Sequence, residues 1–401
     1  MKLSSYRLLL LLHYFAQGIL VPVLSMMLLA GGIPLSDLAF AIGVYSVTAV
    51  VLELPTGVLA DLIGKKKIYL SSLAATVVSM SFFLIGGGKS AMFVGIALFG
   101  AARALASGSF EALFLDRYAT VFGDLSKGVR ILTVSESAGL VVGSLLGGVL
   151  PILSVRVGLQ TYALSLIVRI GLTLLIGILL VILIPTDHPK HSEPSQRLRT
   201  QLRSCASVFA DSRIIRLLFL VLVGTGFSLN FVEAYWQPLF SSFLQGSVDA
   251  SVWLGILSVA YLGAAMGGNV LSERMMRSHS DKRRIYLLGR IGMVLFLFAA
   301  AMVRNPVLFF VVFCLLYFCF GMANVAEGTL LNARLSESNR ASVLSMQSLV
   351  LQLGVVIASV CSKLLPDTVG IGGLWLISSA VLLIVLLPFA NKKKTSEEVL
   401  S

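Results

Sequence analysis

GVLADLIGKKKIYL, residues 57–70, places an aspartate, a glycine and three consecutive lysines between two apolar runs. VLSERMMRSHSDKRRIYL, residues 270–287, repeats the arrangement with a longer loop: VLAD (58–61) aligns with VLSE (270–273), and KKKIYL (65–70) with KRRIYL (282–287). In both copies an apolar segment ends on an acid, a basic cluster follows, and the next apolar segment opens on Ile-Tyr-Leu. Selection for basic loops alone would explain the lysines but not the shared VLAD/VLSE ends. The echo predicts two halves with the same internal landmarks, the mark of a duplicated helical unit.

The rest of the chain fits that frame. Of 401 residues, 57% are hydrophobic and 12% charged, and the mean hydropathy is +0.94. Soluble domains carry about twice that charged fraction. Apolar runs of about 20 residues, each long enough to cross roughly 30 Å of hydrocarbon, recur throughout. Helices are expected near 8–30, 37–60, 68–86, 91–115, 131–153, 160–184, 216–244, 251–272, 285–303, 307–331, 341–362 and 369–390. The expected fold class is therefore an all-α membrane protein of twelve transmembrane helices in two pseudo-symmetric six-helix bundles. The first bundle is expected over 1–184 and the second over 214–401. Between them, residues 185–213, rich in Pro, Ser and charge, read as a cytoplasmic linker with an amphipathic surface helix in its second part.

Charge sets the orientation. With both termini in the cytoplasm, 24 of the 31 Lys and Arg lie in or beside cytoplasmic segments. Lys89, Arg156, Arg304 and Lys363 fall outside, and Arg103, Arg169 and Arg290 lie within helices. This is the positive-inside asymmetry, so the net charge of +12 reports topology and contact with an anionic bilayer rather than with nucleic acid. The expected location is the inner or plasma membrane, multi-pass. The first apolar run lacks a small-residue cleavage site and reads as a retained helix. The four cysteines imply no disulfide framework: Cys314, Cys319 and Cys361 lie in apolar helices and Cys205 in the linker. His188 and His191 lack supporting metal ligands, and no glycine loop preceding a lysine suggests a nucleotide site. No metal, cofactor or enzymatic constellation is expected, and a monomer is.

Three motifs carry a family resemblance that covers essentially the whole chain. GVLADLIGKKK is similar to the loop motif between helices 2 and 3 of the major facilitator superfamily, with Gly57, Asp61, Gly64, Lys65 and Lys66 in register and Leu62 where an arginine is usual. RALASGSFEALFLD (103–116) resembles the helix-4 segment of that family and an SGxxEAL…D subgroup pattern. GLVVGSLLGG (139–148) resembles the antiporter-associated helix-5 pattern at Gly139, Gly143, Gly147 and Gly148, with Ser144 in place of proline. The resemblance implies a drug/proton antiporter-like transporter and places Asp116 in a cytoplasmic charge network with residues 57–67, a gate favouring the outward-open state. Physically, Gly57 would allow close helix approach, Gly64 a tight turn, and Lys65 or Lys66 would compensate Asp61 at a helix C-terminus. The glycines of 139–148 follow a small-xxx-small rhythm suited to close packing.

Charged groups deep in a bilayer are costly and are functional candidates by default. Arg103, Ser107 and Glu111 recur at i, i+4 and i+8, and Glu53 and Glu136 lie on the cytoplasmic side of their helices. His13 and Gln17 share a face of the first helix. One arginine faces three carboxylates, so an acid left over could take up and release protons near neutrality. Glu53 is the first carrier expected, then Glu111 and Glu136. In the second half Asn230, Glu233 and Gln237, with Trp236 beside them, form a stripe that Asn324, Glu327 and Gln352 extend. That set suits a cavity for a small amphipathic organic substrate, organic cations included. Arg169 and Arg290 are expected to be peripheral, the latter reaching the cytoplasm along its stem.

The function expected is proton-coupled efflux of small amphipathic compounds. Uptake or facilitated transport of a specific metabolite is the alternative. A third reading is a non-transporting membrane sensor with the 185–213 linker as its output surface.

Overall fold

A computed structural model describes residues 3–123, 125–185, 212–244, 250–278, 281–333, 337–365 and 367–390. The linker expected at 185–213 therefore lies almost wholly outside the described residues. Within them the chain is all α-helix apart from two single 3-10 turns. The first group of helices is α1 (Leu3–Gly18), α2 (Leu24–Ala30), α3 (Leu38–Ile63), α4 (Lys65–Ile85), α5 (Gly88–Ser107), α6 (Phe110–Phe122), α7 (Leu125–Arg156) and α8 (Ala163–Leu183). The second is α9 (Arg213–Phe243), α10 (Ala250–Ser278), α11 (Lys282–Met302), α12 (Pro306–Asn332), α13 (Glu337–Leu364) and α14 (Gly370–Ala390). Eleven segments among the described residues are long and apolar enough to cross a membrane.

The first expected span, 8–30, is interrupted. Pro22 has no amide to continue the helix ladder, and residues 19–23 tighten into turns in which Leu20 donates to the Gln17 carbonyl and Val21 to that of Gly18. This break separates α1 from α2 and leaves eleven long segments where twelve were expected. The fourth span is also divided, at Gly108 and Ser109. There the Ser109 hydroxyl donates to the carbonyls of Leu105 (2.5 Å) and Ala106 (3.3 Å). Helix α4 begins at Lys65 rather than 68, so the three lysines occupy its first turn instead of a loop. Gly64, at φ 104° and ψ 137°, is the single residue between α3 and α4, a left-handed conformation that favours glycine.

The described residues group into two compact units, one drawn from 1–192 and 244–259, the other from 193–243 and 260–401. Each is built on the same close contacts. In the first, α1 packs on α7: a methyl on Gly139 would lie 2.7 Å from the Phe15 nitrogen, and one on Gly143 2.9 Å from the Gly18 Cα. Gly147 stands against Ile19 in the same way. Buried Ser144, at the position where proline was expected, donates to the Gly18 carbonyl at 3.3 Å instead. In the second unit α9 packs on α13 through Gly354, whose methyl would meet the Phe227 nitrogen at 2.8 Å, and through Gly226 against Leu351. The α3–α5 contact at Gly100, against Tyr45 and Thr48, has its counterpart in Gly321 of α12 against Ala265 and Asn269 of α10. Gly148, the last of the helix-5 glycines, instead faces Ser251 and Gly255 at the start of α10.

The opening motif is repeated in function as well as in letters. The Lys66 ammonium donates to the carbonyls of Val181 (3.3 Å) and Ile184 at the C-terminus of α8. Arg283, its aligned partner, donates to the Phe389 carbonyl at the C-terminus of α14 at 2.6 Å and stacks over the Phe389 ring. A cation at a helix C-terminus satisfies orphan carbonyls and offsets the macrodipole, a contribution of roughly 0.3–2 kcal/mol. The next residues, Ile68-Tyr69 and Ile285-Tyr286, are buried in both units.

Two substitutions separate required glycines from permissive ones. Gly143→Val should destabilise the purified protein by several degrees in thermal unfolding, because its side chain meets backbone. Gly57→Ala should leave the midpoint nearly unchanged, since a methyl there meets nothing within 4 Å. A methyl at 57 thus has room, while from the other side a methyl on Gly108 would lie 3.4 Å from the Gly57 Cα, so the end of α5 does come close to this glycine.

Candidate functional site

The first unit gathers its charges along neighbouring helices. Arg103 lies near the middle of the 88–122 span, and its guanidinium is within electrostatic reach of Tyr45, Glu53 and Glu111. Glu136 on α7 shares the fields of Glu111 and Arg103. Arg103 is exposed, and Glu53, Glu111 and Glu136 are half-buried. One guanidinium thus stands among three carboxylates, and none of the four groups is fully enclosed. The break at 108–109 does not separate them. It lets α6 start at Phe110 with Glu111 in its first turn, where the positive end of the helix dipole favours an anion. The Tyr14 hydroxyl donates to Glu111 Oε1 at 2.8 Å.

His13 and Gln17 are brought together, His13 buried and Gln17 half-buried. Gln17 Nε2 and His13 Nε2 are 2.7 Å apart, and the Tyr69 hydroxyl and His13 Nδ1 2.8 Å. Tyr69 also stacks on Phe110, with ring centroids 4.2 Å apart. Arg169 on α8, expected at the periphery, is 5% exposed, and its Nε and Nη1 have no hydrogen-bond partner. Its charge acts on His13 and Tyr69. The polar cluster of α1 is thus wired to a buried cation that spacing gave no reason to include.

At the end of the unit where α3 meets α4, Lys65 Nζ lies 2.6 Å from Asp116 Oδ2. The acid contributed by α6 therefore contacts the loop motif, as the resemblance implied. Lys66 is turned to the α8 carbonyls, and Asp61 is half-buried nearby in sequence. Leu62, in place of the usual arginine, is 45% exposed. At the other end of α3, Asp37 is ion-paired with Lys89.

The second unit departs most from the sequence reading. Arg290 does not reach water: it is fully buried, as is Glu327, and its Nη2 lies 2.6 Å from Glu327 Oε2. The Tyr286 ring sits 5.4 Å from the Arg290 guanidinium carbon, and Gln347 Nε2 donates to the other Glu327 oxygen at 2.8 Å. Exposed Asn324 is a longer neighbour of Arg290, at 3.5 Å. Glu327, expected to face a cavity, is thus consumed by an inter-helix ion pair joining α11 and α12. Its pairing explains how so costly a charge is retained.

The α9 stripe is divided by the packing. Asn230 is buried and donates to the Ser359 hydroxyl at 3.2 Å, and Gln237 is also buried. Trp236 is fully enclosed by Tyr261 and Phe313, at centroid separations of 5.6 Å each. Glu233 alone of the stripe is half-buried, accepting a hydrogen bond from the Tyr317 hydroxyl. Gln352 on α13 is half-buried with Oε1 unbonded. Tyr317 and Tyr261, their ring centroids 4.3 Å apart and their planes tilted by 35°, were not anticipated; Tyr317 lies in an aromatic run whose period gave no polar stripe.

Arg290 and Glu327 should behave as a unit. Arg290→Met or Glu327→Leu alone should cost about 3–5 kcal/mol in reversible unfolding in detergent, by stranding the other charge. The double variant should recover most of that loss, and additive losses would count against the pair.

These features agree with comparisons to known proteins. The sequence profile of the Major Facilitator Superfamily matches residues 8–279 and 242–399. An uncharacterized MFS-type transporter of Bacillus subtilis (strain 168), YxaM, is 24% identical over 238 residues, 57% of this chain. The match spans 56% of the length of that curated relative. Among solved structures, the nucleoside transporter NupG (D323A mutant) superposes with a TM-score of 0.79 at 15% identity, covering 97% of this chain and 99% of its own. A bacterial homolog of the human lysosomal transporter Spinster gives 0.73 at 13% identity, with coverage of 97% and 94%. An auto-inhibited POT family peptide transporter gives 0.75 at 11%, with coverage of 96% and 95%. The chain is a multi-pass membrane protein that belongs to the Major Facilitator Superfamily, a family of transporters and not of enzymes.

Proposed function

We propose that this protein is a proton-coupled exporter of small amphipathic organic compounds, working by alternating access with both termini in the cytoplasm. The observation that carries the reading is the grouping of Glu53, Glu111 and Glu136 around the guanidinium of Arg103 in one unit, with none of the four fully enclosed. Arg103 can compensate one carboxylate in full. The others gain from binding a proton when water withdraws and from releasing it when water returns. A proton gradient then does work if protonation alters the energy of one conformation more than the other. Glu53 is the carrier we favour, since Glu111 already accepts from Tyr14.

On the substrate side the reading is supported by half-buried Glu233 with Tyr317 and Tyr261 beside it, a carboxylate framed by aromatic rings that suits an organic cation. The Lys65–Asp116 pair, with Asp61 and Gly64, supports a cytoplasmic gate favouring the outward-open state. Asp116 is 53% exposed, so the pair alone is worth about 0–1 kcal/mol and biases the equilibrium rather than locking it. The glycines of α7 hold helices together and support antiport only through the family pattern.

The second reading is transport of a specific polar metabolite. It draws on the dense hydrogen bonding of His13, Gln17 and Tyr69, and on the nucleoside and peptide transporters that share the fold. Proton flux recorded in vesicles while candidate compounds are added to either side separates export by exchange from uptake.

In proteoliposomes with an imposed pH gradient, Glu53→Gln should abolish gradient-driven accumulation of substrate and keep substrate–substrate exchange. Undiminished gradient-driven transport would remove Glu53 as carrier. Asp61→Asn should raise labelling of cysteine probes on the cytoplasmic side, and labelling equal to the parent would dismiss the gate.

A further inference from the structure

A groove of about 500 Å³ opens on the first unit alone, between α1, α6 and α7, at the end that carries the Lys65–Asp116 pair. Its wall is apolar: Leu11 and Val134 are 41% and 67% exposed, and Ile131 is half-buried between them. Its rim holds three exposed cations, Arg7 at the start of α1 and Lys127 and Arg130 in the first two turns of α7. None of the described lining residues is acidic. Lys127 and Arg130, three apart, project from one face of α7, and Arg7 faces them from α1. Apolar helix surface in a bilayer is ordinary. A concave apolar surface capped at one end by three cations, two of them arginines, is not.

We propose that this groove is a binding site for an anionic phospholipid of the cytoplasmic leaflet, such as phosphatidylglycerol. An acyl chain lies along Leu11, Ile131 and Val134, and the headgroup phosphate is held by Arg7, Arg130 and Lys127. Charge complementarity selects this occupant. The positive-inside count places the basic end of the unit at the cytoplasmic face, where anionic lipids concentrate and each nearby cation is worth about 1 kcal/mol. Arginine offers the phosphate a paired donor geometry, and two of the three cations are arginines. A zwitterionic lipid fits the apolar wall equally but brings its own cation to the rim. Because α7 also carries Glu136 and the glycines that fix α1, a lipid in this groove touches the helix pair on which the first unit is assembled.

The test uses the full-length protein, delipidated in detergent and titrated with phosphatidylglycerol or phosphatidylcholine. Retained lipid is read by native mass spectrometry and the unfolding midpoint by fluorescence. The wild type should retain phosphatidylglycerol over phosphatidylcholine and unfold at higher temperature with it. Arg7→Gln/Arg130→Gln should weaken phosphatidylglycerol binding by about 25-fold, about fivefold for each cation removed. Lys282→Gln/Arg284→Gln, which removes the same charge from another unit, should retain it. Val134→Trp keeps every charge and fills the groove, so it should lower retention even if the arginine variant fails to fold. Equal retention by the wild type, Arg7→Gln/Arg130→Gln and Val134→Trp overturns the site. Displacement of phosphatidylglycerol by millimolar inorganic phosphate overturns the lipid assignment in favour of a soluble anion.

Discussion

Helices in lipid gain nothing from hiding apolar side chains from one another, because the solvent is as apolar as they are. What holds them is contact distance, and here it is set by glycine against backbone. Gly139, Gly143 and Gly147 bring α7 onto α1, and Gly226 and Gly354 bring α9 onto α13. At these separations a single methyl group has no room, so the axes cannot be moved without moving the helices that carry the charges. Glu136 lies one turn from Gly139, and Tyr14, which holds Glu111, is itself the residue that Gly139 packs against. The placement of the polar groups thus follows from the packing of the small ones.

That dependence explains what could be read from the sequence and what could not. Features local to the chain were legible: the turn at Gly64, the small-residue rhythm of 139–148, and the duplication visible in VLAD/VLSE and KKKIYL/KRRIYL. The signals for both helix interruptions were also present, Pro22 in one and Gly108 in the other, but each lay inside a long apolar run and hydropathy outweighed it. Pairings between helices were not legible. Arg290 is eight positions from the basic cluster at 282, close enough to suggest a side chain reaching for water. Its partner, Glu327, is 37 residues away on another helix. Glu327 in turn looked free to line a cavity, and only the meeting of α11 and α12 shows it occupied. Trp236 was similarly misplaced: a polar stripe names a face, but the neighbours Tyr261 and Phe313 decide whether that face is open.

The two units use buried charge differently. The second encloses one cation with one anion and supports the anion with Gln347, while its half-buried Glu233 accepts from Tyr317. The first holds Arg103 among three carboxylates on accessible surface and sets a second guanidinium, Arg169, in its interior with two nitrogens unbonded. A balanced pair resists change because separating it strands both members. The two units thus share a set of close helix contacts and differ in electrostatic poise.

The capping of α8 by Lys66 and of α14 by Arg283 has a consequence for how the chain is made. The acceptor carbonyl of Ile184 is synthesised 118 residues after Lys66, and that of Phe389 106 residues after Arg283. The basic first turn of α4 and of α11 therefore precedes its acceptor in synthesis, and neither cap can form until the last helix of its own group has been made. Each cap ties the end of a group of helices back to its earlier members, a closure that follows the order of the chain.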